Sequence, residues 1–238
     1  MRTVLVVAVL VAAVLVLQRW TGSALLPTVP DRRAGDLVVP ASPTTPGPYR
    51  FSNKDPDGRP VGFDPCRTIH YVVRVGPGPL NGAALVADGI ARLERATGLH
   101  FQYDGTTDDV PTSSTTFAAD EPVFVGWASD AETDLYSQLD HEVIGVTGTQ
   151  AYAPPGGHRT YRSGYVVLKP YLDLVPGFGP GRSEGNVLLH ELGHLAGLDH
   201  VADPGEQMAP GVGSQAPADY GPGDRQGLYR LGASRGCG

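Results

Sequence analysis

The sequence predicts an α+β domain built on a mixed sheet, preceded by an apolar N-terminal run and a proline-rich spacer. Three observations carry that prediction. Apolar periodicity changes along the chain in the order β-α-β-β-β-β-α-α. Hydrophobic residues make up 41% of the chain and charged ones 18%, which supplies a core and excludes a chain disordered throughout. The 238 residues, at roughly 150 per domain, leave room for one domain and its extensions, and the 32 Gly and 22 Pro make it loop-rich.

Residues 3–17 carry no charge, follow Arg2 and end before Gln18-Arg19-Trp20. Such a run of about 15 apolar residues fits a secretory h-region and is short of the roughly 20 that a spanning helix needs. Trp20 can extend the span as an interfacial anchor, and Gly22-x-Ala24 offers a cleavage site after Ala24. Residues 1–24 are therefore read as a signal peptide or as a signal-anchor helix. Either places the remainder outside the cytoplasm, and the second ties it to a membrane. Residues 25–49, with Pro40-Ala-Ser-Pro-Thr-Thr-Pro-Gly-Pro48, read as an extended linker.

The globular part is expected over 50–238. Segments 49–51 and 60–63 flank Asp57-Gly58, a hairpin-type turn. Segment 68–75 is β-branched and aromatic, hence a strand. Over 81–97, Val86, Ile90 and Leu93 recur at i, i+4 and i+7, with Asn81 and Gly98 as caps. Strands follow at 99–103 and 122–127. Further strands at 148–153 and 164–169 lie around a Pro-Pro-Gly-Gly loop. Helices are expected over 183–196 and 224–231.

The net charge of −7 argues against a nucleic-acid partner. Two cysteines exclude a Cys-rich zinc module. The informative segment is 190–200, His-Glu-Leu-Gly-His-Leu-Ala-Gly-Leu-Asp-His. His190 and His194 are four apart, so a helix projects both rings from one face. Gly197 can take φ > 0 and turn the chain, returning His200 as a third nitrogen. Three protein ligands and one open position make the catalytic pattern for zinc. Glu191, beside the first ligand, is placed to act as general base. Met208, the one methionine besides Met1, follows eight residues after His200 and reads as an apolar floor, in the pattern of a metzincin Met-turn.

Residues 190–200 with Gln207-Met208-Ala209-Pro210 resemble the matrixin branch of the metzincins, and Asp64-Pro-Cys-Arg-Thr-Ile-His70 resembles its bacterial members. Gln150-Ala-Tyr-Ala-Pro-Pro-Gly156 is similar to the matrixin edge strand and the loop after it. Asp224-Arg-Gln-Gly-Leu-Tyr-Arg-Leu-Gly232 is similar to the family's C-terminal helix. The resemblance implies a twisted five-stranded mixed sheet with an active-site helix and a C-terminal helix. It implies a monomeric endopeptidase with one catalytic Zn2+, acting on protein or peptide. Its substrate would lie along an edge strand, for which Thr149, Gln150, Ala151 and Tyr152 are the candidates, and Ala209–Tyr220 would wall the pocket. The latency segment and a complete His/Asp set for a structural zinc do not occur; His141 and His158 stand alone. Two further readings stay open: a zinc-stabilised cell-surface binding module, and a zinc amidase acting on cell-wall peptides.

Cys66 and Cys237 can form one disulfide, Cys66 can serve as a latency ligand, or both can remain thiols. Asn53-x-Asp55-x-Asp57-Gly58 resembles the opening of a Ca2+ loop, with a plain hairpin turn as the alternative. His70 and His100 are expected to be satisfied residues of their strands.

Overall fold

Alternating β-branched and aromatic residues build the strands of a computed structural model that describes residues 37–137, 139, 143–170 and 173–237. The reading of residues 1–24 lies outside the described residues, as does the first half of the linker. In chain order the elements are β1 (Arg50–Phe51), β2 (Thr68–Arg74), α1 (Gly82–Thr97), β3 (His100–Thr106), β4 (Val123–Trp127), β5 (Gly145–Tyr152), β6 (Thr160–Leu168), α2 (Glu184–Ala196), β7 (Leu198–Asp199) and α3 (Pro222–Leu231), then a 3-10 turn at Ala233–Arg235.

The fold is α+β, with a five-stranded mixed sheet in the order β3-β2-β4-β6-β5. Strands β2, β3, β4 and β6 run parallel, and β5 pairs antiparallel to β6 as an edge. One face, with Ile69, Tyr71, Val73, Val125 and Val166, buries Leu85, Val86, Ile90 and Leu93 of α1 and Leu188, Leu189 and Leu192 of α2. At about 25 cal/mol per Å2 of apolar surface, this burial is the main force holding the helices to the sheet. Gly89 allows the two helices to approach, because a Cβ there would lie 2.7 Å from Leu188 Cδ2. A second cluster, Phe124, Ala128, Tyr136 and Val167, covers part of the opposite face.

Several boundaries differ from expectation. Strand β5 begins at Gly145, three residues earlier than predicted, and β6 at Thr160, four earlier. At β5 Gly145 and Thr147 blur the period-2 pattern, and at β6 it is hidden by Ser163, which is polar yet buried. Gly98 caps α1 in the left-handed region at φ 71°, but Asn81 makes no side-chain cap. Helix α3 starts at Pro222, as Pro suits a first turn. Segment 49–51 does not pair with 60–63. The turn between them is closed by a Lys54–Pro60 bridge, and β1 instead pairs antiparallel with β7, Arg50 opposite Asp199 and Phe51 opposite Leu198.

The last part of the linker lies against the domain. Gln226 Nε2 donates to Thr45 O at 3.1 Å, and Arg230 Nη1 donates to Tyr49 Oη at 2.6 Å. Cys66 and Cys237 are joined by a disulfide, with their Cα atoms 5.4 Å apart. A structural disulfide belongs to an oxidising compartment. Among the described residues, no helix is long and apolar enough to cross a membrane.

Candidate metal centre

Helix α2 presents the first two histidines. Ser183, extended at φ −118°, starts it by accepting from Asn186 N at 3.2 Å. Gly197 ends it at φ 119°, with its N–H directed at Gly193 O and His194 O. A Cβ at 197 would also meet Val61 O at 2.7 Å, so both conformation and space call for glycine. The chain then reverses through β7, and His200 returns to the helix.

The Nε2 atoms of His190, His194 and His200 form a triangle with every side 3.1 Å. His190 Nδ1 donates to Gln207 O at 2.8 Å, and His194 Nδ1 donates to Leu198 O at 2.9 Å. A carbonyl can only accept, so each Nδ1 carries the proton and, in the neutral rings, each Nε2 is a bare lone pair. Two such lone pairs 3.1 Å apart repel unless a cation lies between them. The centre of a 3.1 Å triangle is about 1.8 Å from each corner, so an ion at about 2.0–2.1 Å from all three nitrogens fits just off that plane. Burial, then the neighbouring His194, holds His190 down at about 3; burial also lowers His194 and His200. Neutral imidazole is the ligating form.

Glu191 lies beside the triangle, 6% exposed. Burial pushes its carboxyl up to about 7, while a 2.6 Å hydrogen bond from Thr147 Oγ1 to Oε2 pulls the other way. A Cβ at Gly145 would fall 2.6 Å from Glu191 Oε1, so β5 reaches this carboxylate only by lacking a side chain there. Sequence reasoning missed Thr147 and Gly145; the signal available was their place at the start of a strand whose onset was read too late. Thr149, Gln150, Ala151 and Tyr152 lie further along β5, around a register shift between Gln150 and Ala151, with Gln150 and Tyr152 exposed.

Met208, 1% exposed, packs under the helix; its Sδ would be 2.4 Å from a Cβ on Gly193. Its turn is held from α3, where Asp224 accepts from Gln207 N at 2.5 Å, Met208 N at 3.3 Å and Gly221 N at 2.9 Å. Glu206 caps the same helix, accepting from Gly223 N and Asp224 N. Burial pushes the Asp224 carboxyl up, opposed by those amides. Within Ala209–Tyr220, Ala216 O accepts from Gly181 N at 2.8 Å, and Tyr220 Oη donates to Leu189 O at 3.1 Å.

A second group of donors joins two carboxylates of the Ca2+-loop reading to His158, which the sequence left standing alone. Asp55, Asp57 and His158 place ligand-type atoms within 4.8 Å of one another. Both carboxylates already have arginine partners: Asp55 Oδ1 with Arg159 Nε at 2.7 Å, and Asp57 Oδ2 with Arg59 Nε at 3.1 Å. His141 lies outside the described residues. His70 Nδ1 contacts Asp104 at 2.9 Å, and His100 Nδ1 lies 3.5 Å from Glu94.

The fold and site thus define an α+β protein with a three-imidazole candidate metal centre and a buried carboxylate beside it. No protein-family model matches the sequence, and no curated protein matches it. Among solved structures, the chain is similar to high choriolytic enzyme 1, a hatching-enzyme zinc protease from the medaka fish Oryzias latipes. The identity is 15%, over 63% of this chain and 50% of that one, with a TM-score of 0.27. The chain spans about half the length of that enzyme.

Proposed function

We propose that this chain is a zinc-dependent endopeptidase of the metzincin class, matrixin-like in its site, acting outside the cytoplasm. The observation that carries the reading is the triangle of Nε2 atoms at 3.1 Å, with two tautomers fixed by backbone carbonyls. His190, His194 and His200 would hold zinc, which supplies Lewis acidity and an acidified water. Glu191 takes the proton of the attacking water at its carboxylate and later delivers it to the leaving nitrogen. Burial raises its affinity for that proton, and the Thr147 hydroxyl fixes the direction of its Oε2. Among the described residues β5 is an edge strand of the sheet, the position at which an extended peptide adds, and this is the basis for keeping Thr149, Gln150, Ala151 and Tyr152 as substrate-contact candidates. The Cys66–Cys237 disulfide supports the extracytoplasmic setting.

The test is metal analysis of the full chain together with cleavage of an unfolded protein substrate and of peptidoglycan cross-linking peptides, with and without chelator. One equivalent of zinc and chelator-sensitive cleavage of the unfolded protein are expected. Cleavage of the cell-wall peptides alone would replace the reading by an amidase. Zinc binding without turnover of either substrate would replace it by a binding module.

A further inference from the structure

Strand β1 is two residues long and directly follows the proline-rich segment, yet it pairs with β7, the strand that carries the chain into His200. Strand β7 holds the imidazole of His194 and the main-chain amide of His200. Leu198 O accepts His194 Nδ1, and Asp199 Oδ1 accepts His200 N at 2.8 Å. The segment 50–52 grips the same atoms from the other side. Ser52 Oγ donates to Leu198 O at 2.6 Å, Ser52 N donates to Gly197 O at 2.9 Å, and Arg50 closes on Asp199 Oδ2 through Nε at 2.8 Å and Nη2 at 2.6 Å. Asp199 thus has one oxygen on the backbone of the third ligand and the other on Arg50.

We propose that Arg50, acting through Asp199, is a positioning residue for His200, so that the segment 50–52 belongs to the metal centre although it supplies no ligand. The inference rests on the metal reading above. Leu198 is buried in the core, which anchors the middle of β7 but leaves the side chain of Asp199 to be placed by its polar partners. Among the described residues β7 pairs only with β1, and the guanidinium of Arg50 fixes the carboxylate that holds the His200 amide. Partners behind a metal ligand commonly govern affinity by about 10–100-fold. Arg50 is 64% exposed, and solvent screening weakens an exposed pair, which puts the expectation at the lower end.

The experiment measures zinc affinity of the full chain by competition with a chromophoric chelator, alongside the visible spectrum of the Co2+ form and the Tm of the metal-free protein. Arg50→Ala is expected to weaken zinc binding about 10-fold and to shift the Co2+ bands. Arg50→Lys should recover part of this, since lysine keeps the charge but not the fork. Asp199→Asn should match Arg50→Ala, and the double variant should be no worse than either. Ser52→Ala probes the same segment without touching the ion pair and should weaken binding by a smaller factor. Arg59→Ala, a surface pairing elsewhere, should change nothing. Zinc affinity within about twofold of wild type in both Arg50→Ala and Asp199→Asn overturns the proposal. So does a lowered Tm of the metal-free protein with affinity and Co2+ bands unchanged. A wild-type chain that binds no zinc removes the metal reading itself, and this inference with it.

Discussion

Two groups of three ligand-type side chains occur among the described residues, each with donor atoms within 4.8 Å of one another, and they are built on opposite principles. At His190 and His194 the facing Nε2 atoms of the neutral rings have no proton to share, because each Nδ1 gives its own to a main-chain carbonyl. At Asp55, Asp57 and His158 the negative charge is already met by Arg159 and Arg59, with His158 Nδ1 3.4 Å from Asp55. Closeness of donors is common to both. What separates them is whether neighbouring groups leave the facing lone pairs unsatisfied. The first group suits a cation at its centre, as the proposed function has it; in the second both carboxylates are paired with arginines.

Zinc stoichiometry breaks or upholds this contrast with the largest effect. His194→Ala should abolish tight zinc binding, whereas His158→Ala and Asp57→Ala should leave one equivalent bound; loss of zinc from the His158 variant would erase the distinction. Next, Glu191→Ala should keep the zinc and lower peptide hydrolysis by about 10²–10⁴, read as kcat on a fluorogenic peptide. Packing sharpens the contrast at smaller magnitude. Gly193→Ala drives a methyl group into Met208 Sδ and should cost about 1–3 kcal/mol in denaturant unfolding. Gly58→Ala, in the surface turn at φ 86° with open space around it, should cost about 1–2 kcal/mol from backbone strain alone. The smallest effect concerns pH. The hydrogen bond from Arg159 holds Asp55 below the usual carboxylate range, so its stabilisation is present above about pH 4 and is lost as the pH falls through the folded value. The Tm gap between wild type and Asp55→Asn should therefore be full at pH 7 and close in acid; a gap that widens in acid would contradict the pairing.

The centre was legible because its chemistry is local. The spacing of four between His190 and His194, and the glycine that reverses the chain before His200, follow from helix geometry and from φ alone. The helix with Val86, Ile90 and Leu93 was legible for the same reason. What stayed hidden depends on distant partners. Nothing near Arg50 announces Asp199, 149 residues away, and no periodicity assigns Thr147 to Glu191. His158 looked solitary because its neighbours, Asp55 and Asp57, belong to a turn about a hundred residues earlier. The start of β5 was misjudged because Gly145 and Gly148 give no alternation, and Gly145 is glycine for the sake of a carboxylate on another element.

The two main-chain carbonyls that lock the rings of His190 and His194 have a consequence for handling the protein. Rings so locked cannot rotate away to ease their crowding, so on the proposed zinc reading the pocket would take whichever divalent ion reaches it first. First-row divalent ions compete for nitrogen donors in an order that places copper and nickel beside or above zinc. On that reading, a preparation passed over nickel resin would carry the history of its buffers, and its isolated metal content would describe the purification more than the cell.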